Sequence, residues 1–146
     1  MFVELFDFQQ KALDNLRERQ IKAQRRYRED KEKSIIPFTA PTGAGKTIIM
    51  SAFIEALYTG DSYQGAQNDA IVLWISDAPE LNEQSKAKLF KVADKLWTRN
   101  VVTIDEHSFK ADKLQLGTIY YVNTQKFGVN SNLVKYSDER NYTGWD

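Results

Sequence analysis

Apolar residues along the chain follow two different patterns, and each pattern predicts one kind of element. Where they recur every three or four positions they predict a helix, and where they form a short run they predict a strand covered on both faces. The helical pattern covers residues 5–33, the stretch from residue 48 to between Leu57 and Gly60, and residues 79–97, whereas the short runs cover 35–38, 70–75 and 118–122. Helices that alternate with strands in this way predict right-handed βαβ units, and hence an α/β fold with a parallel sheet and helices on both of its faces.

The first predicted helix, residues 5–33, has a short apolar stripe and a charged end. The stripe is expected on the face that carries Phe8, Ala12, Leu16 and Arg19, flanked by Leu13 and Gln20. Residues 25–33 are mostly charged, with both signs present. Mixed charge is typical of a solvated surface, so we expect an exposed helix end or loop there, and contact with DNA is the less favoured alternative.

Composition and charge indicate a globular protein without disulfides and without a net charge that would attract nucleic acid. The chain has 146 residues, 42% hydrophobic and 12% aromatic, which suits one globular domain with a core. Lys and Arg number 20, as do Asp and Glu, so any contact with nucleic acid has to come from a local patch. The chain has no cysteine, which excludes disulfides and thiolate zinc sites. The first seven residues carry acids where a signal peptide has bases, and no apolar run reaches membrane-spanning length, so we expect a cytoplasmic protein without a membrane partner.

A glycine-containing loop, residues 40–47, connects the first predicted strand to a helix, and its residue types suit a triphosphate. Gly43 and Gly45 let the backbone turn its N–H groups toward phosphate oxygens, and the following helix adds the positive end of its dipole. Lys46 offers an ammonium for the β- and γ-phosphates, and the Thr47 hydroxyl is placed to ligate a bridging Mg²⁺. The predicted site has Lys46 and Thr47 as catalytic residues, Thr47 as the Mg²⁺ ligand, and the loop and first turn as the cofactor-binding segment: Thr42, Gly43, Ala44, Gly45, Lys46, Thr47 and Ile48.

The same loop resembles that of a known group of motor proteins. The general phosphate-loop pattern has Gly six residues before the Lys, whereas Ala40 stands there, and Ala-x-x-Gly-x-Gly-Lys-Thr resembles the loop of superfamily 2 helicases and translocases. Residues 8–13, Phe-Gln-Gln-Lys-Ala-Leu, resemble the aromatic-Gln-x-x-Ala-aliphatic stretch that precedes this loop in the group, where the Gln pairs with adenine. An amide offers the acceptor and donors that suit the N6/N7 edge of adenine. The resemblance implies ATP as the cofactor and Gln9 as the adenine reader, with Gln10 as the alternative one register away.

Two further segments resemble superfamily 2 motifs that contact the nucleic-acid backbone. Ser76 follows a predicted strand and precedes a Leu-x-x-Gln sequence at residues 81–84, although Asp77 stands close to the place of the usual Arg. Thr124 and Gln125 follow the last predicted strand, at the edge where parallel α/β sheets bind ligands. Short polar side chains suit phosphate oxygens, so the resemblance implies DNA contacts by Ser76, Thr124 and Gln125. Capping of a helix or turn is the alternative for each.

Asp105 and Glu106 follow an apolar stretch and resemble a Walker B element, in which the Asp holds Mg²⁺ and the Glu polarises the attacking water. Two observations argue against that interpretation. His107 follows directly, where the superfamily pattern has one intervening residue. The strand and Thr-Gln turn that come before Walker B in that group lie further along the chain, at residues 118–125. We therefore expect Asp105 and Glu106 not to be catalytic, and His107 to have a surface or packing role.

These segments occur in the order in which superfamily 2 proteins present them. Over nearly the whole chain they are similar to the helicase-like amino-terminal domain of type III restriction enzyme subunits. The resemblance implies an N-terminal helical segment at residues 1–33 and a partial RecA-like P-loop domain at residues 34–146, which together form one structural unit. It implies the ATP-binding part of the first motor domain of a DNA-dependent ATPase, with three partners: DNA, a second RecA-like domain, and a methyltransferase or nuclease subunit.

Hydrolysis by the chain alone depends on where its Walker B element lies. If that element lies beyond Asp146, the chain lacks the Mg²⁺-binding Asp, the water-activating Glu and the arginine fingers of a second domain. An arginine finger is worth about 10³ to 10⁵ in rate in related phosphoryl transfer, so we then expect ATP binding with negligible turnover. A stand-alone P-loop phosphotransferase that uses Asp105 as its metal-site acid, or a non-catalytic nucleotide-binding interaction module, remains open. Phosphorylation of a soluble acceptor would favour the first, and partner affinity unchanged by Lys46→Ala the second.

Overall fold

The chain forms helices and parallel strands, but they do not alternate throughout, because among the described residues no strand lies between the first two helices. The computed structural model describes residues 4–41, 43, 45–77, 79–104 and 113–123. They form helices α1 (Asp7–Asp30), α2 (Lys46–Thr59) and α3 (Pro79–Val92), a 3₁₀ turn (Asp94–Leu96), and strands β1 (Val72–Ser76), β2 (Asn100–Ile104) and β3 (Thr118–Asn123). The chain divides into two compact units, Met1–Gln67 with Lys88–Trp97 and Asn68–Ala87 with Thr98–Asp146. The α/β class predicted from the sequence is confirmed.

Helix α1 opens the first unit, and its two ends are fixed by local hydrogen bonds. At the start, the Phe6 N–H donates to the Gln9 Oε1 at 3.0 Å, so a side chain of the first turn satisfies a backbone donor that the helix leaves open. At the end, Lys31 adopts a left-handed conformation and its N–H donates to the Tyr27 carbonyl at 2.9 Å. The helix is therefore slightly shorter than the predicted range of residues 5–33.

The buried face of α1 is rotated from the apolar stripe that the sequence predicts. The residues that are buried are Gln9, Leu13, Leu16, Arg17 and Gln20, which recur at helical spacing. Phe8, predicted on the inner face, is 54% exposed, and Arg19 is exposed as well. Three of the five inward-facing residues are polar, and such residues are buried only where they find partners.

Among these residues Arg17 has the greatest need for hydrogen-bond partners, because its charged guanidinium is fully buried. Its Nε and Nη2 donate to the two oxygens of Asp61 at 2.8 and 2.9 Å, and its Nη1 donates to the Gln20 Oε1 at 2.6 Å. Asp61 directly follows Gly60, the residue that caps α2. The ion pair therefore joins the middle of α1 to the end of α2.

The Asp61 carboxylate is stabilised in its charged form. Partial burial by itself raises its pKa, but hydrogen bonds from Arg17 and from the N–H groups of Tyr63 and Gln64 outweigh that effect, so the pKa of Asp61 lies below its ordinary value of 3.8. A carboxyl whose pKa is lower in the folded than in the unfolded chain contributes stability that is complete above the ordinary pKa. That contribution is lost as the pH falls through the folded value.

Helix α2 supplies a large part of the apolar core of the first unit. The following side chains of this helix are buried: Ile49, Ala52, Ile54, Leu57 and Tyr58. Glu55 is also buried, and its Oε2 accepts the backbone N–H of Lys95 at 3.3 Å. The helix ends at Gly60, whose φ of 83° and proximity to the Ala66 nitrogen, 2.7 Å from where a Cβ would stand, leave room for glycine only.

The strand predicted at residues 35–38 does not form. Residues 31–40 have neither helical nor strand structure, and Ile35 is 94% exposed. A strand is stable only where neighbouring strands take up its N–H and C=O groups, and among the described residues none pairs with this run. The glycine loop is thus preceded by irregular backbone.

The second unit contains a three-stranded sheet in the order β1-β3-β2, with both pairs parallel. The strands predicted at 70–75 and 118–122 are confirmed as β1 and β3. In the register, Leu73 lies opposite Tyr120, which lies opposite Val102. One face packs around Tyr120, Val122 and Ile104, with these residues partly buried beside them: Ile71, Leu73, Val102 and Leu114. All six residues of the central strand β3 are buried, including the polar Thr118 and Asn123 at its two ends, as expected for a parallel strand covered on both faces.

Asp61→Ala is expected to lower the free energy of unfolding by about 3–5 kcal/mol, because it leaves the Arg17 guanidinium buried without a counter-charge. Arg17→Met should cost less, since Met refills much of the volume and the partly exposed Asp61 can be hydrated. Urea denaturation followed by circular dichroism measures both values. In the wild type, the contribution of the pair should also disappear as the pH is lowered below about 3.8.

The matched control for this experiment is Arg26→Ala. Arg26 lies on the same helix and approaches Glu32 at 3.9 Å, but both side chains are more than half exposed. An exposed pair of this kind contributes less than about 1 kcal/mol. If Asp61→Ala cost no more than Arg26→Ala, the ion pair would not join the two helices in the way described.

Candidate functional site

The glycine loop turns sharply into α2 through two residues with positive φ. Gly43 has φ 84° and Gly45 has φ 79°, both in the left-handed region that side chains disfavour. A Cβ on Gly43 would meet nothing within 4 Å, whereas a Cβ on Gly45 would lie 2.6 Å from the Gln9 Nε2. Gly43 is therefore required for its dihedral angles, and Gly45 both for its dihedral angles and for the approach of Gln9. Thr42 and Ala44 lie outside the described residues.

Helix α2 begins directly at the loop, with Gly45 as its N-cap and Lys46 as its first residue. In the described part of the chain no side chain caps this end, and the first intrahelical bond runs from the Ile49 N–H to the Gly45 carbonyl at 2.9 Å. The N–H groups of Lys46, Thr47 and Ile48 therefore have no acceptor within the helix. Together with the helix dipole they create a positively polarised end, which attracts anions.

Lys46 and Thr47 stand in the first turn of α2. Lys46 is exposed, and within the described residues it forms no ion pair. Thr47 is half-buried, and its carbonyl accepts the hydroxyl of the buried Ser51 at 2.7 Å, which holds this turn against the core. Among the described residues, no three or more His, Cys, Asp or Glu side chains are grouped so that they could hold a metal. A cation here would rest on Thr47 and on phosphate oxygens, which is how proteins commonly hold Mg²⁺.

Gln9 is the residue of α1 that meets the loop. Its side chain is 95% buried, its Oε1 accepts the Phe6 N–H, and its Nε2 points at Gly45. Gln10, the alternative one register away, is exposed and donates to the Asp14 Oδ1 at 2.9 Å on the surface of the helix. The structure thus brings Gln9, and not Gln10, beside the loop.

A pair of exposed aromatic rings lies next to Gln9 in the chain. Phe6 and Phe8 stack with their ring centroids 6.0 Å apart and their planes inclined by 14°, and they are 69% and 54% exposed. Because the two rings are in contact, they form a small continuous apolar patch beside Gln9. The sequence analysis did not single out Phe6 and placed Phe8 on the inner face of the helix. The apolar pattern of a single helical turn does not show which of its side chains are buried.

The predicted nucleic-acid residues belong to the second unit or lie outside the described residues. Ser76 ends β1 and donates its hydroxyl to the Oδ1 of Asn82, a buried residue of α3, at 2.6 Å. It lies opposite Asn123, the last residue of β3, so two polar residues meet at the carboxyl edge of the sheet. Thr124 and Gln125 lie outside the described residues, as do the residues of the Walker B alternative: Asp105, Glu106 and His107.

Comparison with known proteins adds an independent result to this geometry. A family model described as "Type III restriction enzyme, res subunit" matches residues 2–143. No curated protein and no solved structure matches the chain. Within the part of the chain that the structure describes, no helix combines the length and apolar character needed to cross a bilayer. The chain belongs to the type III restriction enzyme res subunit family, and its parallel α/β fold is the RecA-like P-loop fold of that helicase-like ATPase family.

Proposed function

We propose that this chain is the ATP-binding part of the first motor domain of a DNA-dependent ATPase of the helicase or translocase type. The observation that carries this proposal is the contact between Gln9 and Gly45, 36 residues apart in the chain. Through this contact, an amide that can pair with a purine lies beside a loop that can bind a triphosphate. A mononucleotide is long enough to touch both.

The adenine would lie at the start of α1. The Gln9 Oε1 uses one lone pair for the Phe6 N–H, and a carbonyl oxygen has a second one that can accept from the adenine amino group. The Gln9 Nε2 can donate to a ring nitrogen of the base. The adjacent rings of Phe6 and Phe8 supply an exposed apolar surface against which a purine can pack.

The phosphates would lie at the start of α2. There the backbone N–H groups of Lys46, Thr47 and Ile48, together with the Lys46 ammonium, neutralise negative charge on the β- and γ-phosphates. The Thr47 hydroxyl is the ligand that this chain offers to Mg²⁺, and the ion, when bound, neutralises charge as the phosphoryl group is transferred. In this proposal these residues bind and orient the nucleotide.

Turnover needs groups that we do not assign to the described residues. The water-activating acid would come from a Walker B element, and the transition-state arginine would come from a second RecA-like domain, as in related phosphoryl-transfer systems. DNA contacts are proposed for Ser76, Thr124 and Gln125, and a methyltransferase or nuclease subunit is proposed as the partner of the whole assembly. In that case the described residues hold ATP and Mg²⁺, and the further groups carry its hydrolysis.

Lys46→Ala is expected to weaken the binding of ATP by about 10- to 150-fold, because a charge-assisted contact to phosphate is worth roughly 1.5–3 kcal/mol. Titration of a fluorescent ATP analogue in the presence of Mg²⁺ measures the Kd. Lys11→Ala, which removes an exposed lysine of α1, is the control and should leave the Kd unchanged. Equal Kd values for Lys46→Ala and the wild type would overturn the phosphate site.

Gln9→Ala is expected to reduce the preference for ATP over GTP. Loss of two hydrogen bonds to the base, each worth about 1 kcal/mol, should weaken ATP binding by about 5- to 30-fold and change the affinity for GTP much less. Competition of ATP and GTP against the fluorescent analogue gives the ratio, and Gln10→Ala is the matched control. The adenine assignment fails if the ratio is unchanged in Gln9→Ala, or if Gln10→Ala lowers it instead.

A further inference from the structure

A cavity of about 440 Å³ lies beside the C-terminal half of α1 within the first unit. It is lined by three amides (Gln20, Gln24 and Gln67), one aromatic ring (Tyr27) and two cations (Arg28 and Lys33). Gln20 and Arg28 follow Gln9 by 11 and 19 residues on the same helix, which places them roughly 16 and 28 Å farther along its axis. The cavity is thus separate from the nucleotide site, and its volume is in the range that holds a small ligand.

Hydrogen bonds orient two of the amides that line this cavity, Gln20 and Gln24. Arg17 can only donate, so the Gln20 Oε1 must be the atom that accepts from it, and the Gln20 Nε2 then donates to the Gln64 Oε1 at 3.2 Å. The Gln64 Nε2 donates in turn to the Gln24 Oε1 at 2.8 Å. The direction of this chain of bonds leaves the amino group of Gln24 as a donor, and no described residue accepts from it.

Gln67 supplies a complementary acceptor. Its Nε2 donates to the Gly65 carbonyl at 3.3 Å, so its Oε1 is the end that can take a further hydrogen bond. The cavity therefore presents both an amide donor and an amide acceptor, held by the surrounding structure. Such a pair matches the edge of a nucleobase, which combines a donor or amino group with a ring nitrogen or carbonyl acceptor.

Tyr27 provides an aromatic wall. The ring is exposed, and the Lys31 ammonium stands over it at 5.2 Å from its centroid, which favours one orientation of the ring. Ala23 and Ile36 add apolar lining. A base that stacks on an aromatic side chain gains about 1–3 kcal/mol, and the gain depends little on sequence.

The segment that supplies most of the cavity lining is positively charged, although the whole chain is neutral. Residues 19–33 carry seven Lys or Arg and three Asp or Glu, a net charge of +4, whereas the complete chain has 20 of each kind. One of the acids, Glu32, lines the cavity together with Arg28 and Lys33. The local excess of cations favours a polyanion, and a single-stranded nucleic acid is a polyanion whose bases are free to stack.

We propose that this cavity binds one nucleotide of a single-stranded nucleic acid. The base stacks on Tyr27, its edge bonds to Gln24 and Gln67, and the adjoining phosphates meet Arg28 and Lys33. A duplex does not fit this chemistry, because its bases are stacked on each other and their edges are paired. The site is distinct from the backbone contacts proposed for Ser76, Thr124 and Gln125, and it does not depend on the ATP site.

The test is fluorescence anisotropy of a labelled 15-nucleotide oligo-dT with the full chain, in buffer without ATP or Mg²⁺. Tyr27→Ala should weaken binding by about 5- to 150-fold, whereas Tyr27→Phe, which keeps the ring, should bind as the wild type does. Tyr63→Ala, which removes another exposed tyrosine of the same unit, is the control. Arg28→Gln and Lys33→Gln should each reduce the slope of log K against log salt by about 0.7. Circular dichroism confirms that each variant is folded.

Several results would overturn the proposal. If Tyr27→Ala bound the oligonucleotide as tightly as the wild type does, no base would stack on Tyr27. If the wild type bound a 15-base-pair duplex as tightly as the single strand, binding would not need an unpaired base. Equal binding of a polyglutamate peptide would show that the surface takes any anionic chain, and displacement of the oligonucleotide by micromolar thymidine monophosphate would show a site for free nucleotides. Since ATP and Mg²⁺ are absent from the assay, failure here leaves the Lys46 experiment unaffected.

Discussion

The buried ion pair between Arg17 and Asp61 is the contact on which the first unit depends. It joins the middle of α1 to the residue that follows the C-cap of α2, so it fixes the two helices against each other. Gln9 lies about two turns before Arg17 on the same buried face, and Gly45 lies at the opposite end of α2 from Asp61. Fixing the helices therefore also fixes the amide of Gln9 beside the glycine loop. The position of the Gln9 amide thus depends on an ion pair about two turns farther along α1, at the opposite end of α2 from Gly45.

The polar residues on the inner face of α1 make sense as one connected network. A buried guanidinium is costly unless it is paired and hydrogen-bonded, and each of the three Arg17 nitrogens donates to Asp61 or Gln20. Gln20 in turn donates to Gln64, and Gln64 donates to Gln24, which lines the cavity beside the C-terminal half of α1. An apolar α1 would pack as well, but it would not orient amides at two separate places along the helix. The network thus connects the stability of the helix pair to the chemistry that its surface offers.

Sequence reasoning succeeded where short-range chemistry decides the outcome. The positive φ of the loop glycines and the end of α2 before Gly60 follow from residues that act on their own backbone, and β1 and β3 follow from short apolar runs. Helix α2 begins at Lys46, two residues before the predicted start at residue 48. Sequence reasoning failed where partners are distant. The run at 35–38 lacks a strand neighbour among the described residues, the buried face of α1 is rotated by polar contacts, and Arg17 and Asp61 are separated by 44 residues. Gln9, the residue that the sequence favours over Gln10, is the one that lies beside Gly45.

The central claim is that the turn from the glycine loop into α2, with Gln9 against it, is a nucleotide site. Hydrogen exchange of the backbone amides, measured with and without ATP and Mg²⁺, tests it most directly. The account predicts saturable slowing of exchange at residues 43–48 and in the first turn of α1, because these N–H groups and their neighbours would be covered by the nucleotide. Unchanged exchange at residues 43–48 under saturating ATP, or slowing confined to other segments, would contradict it.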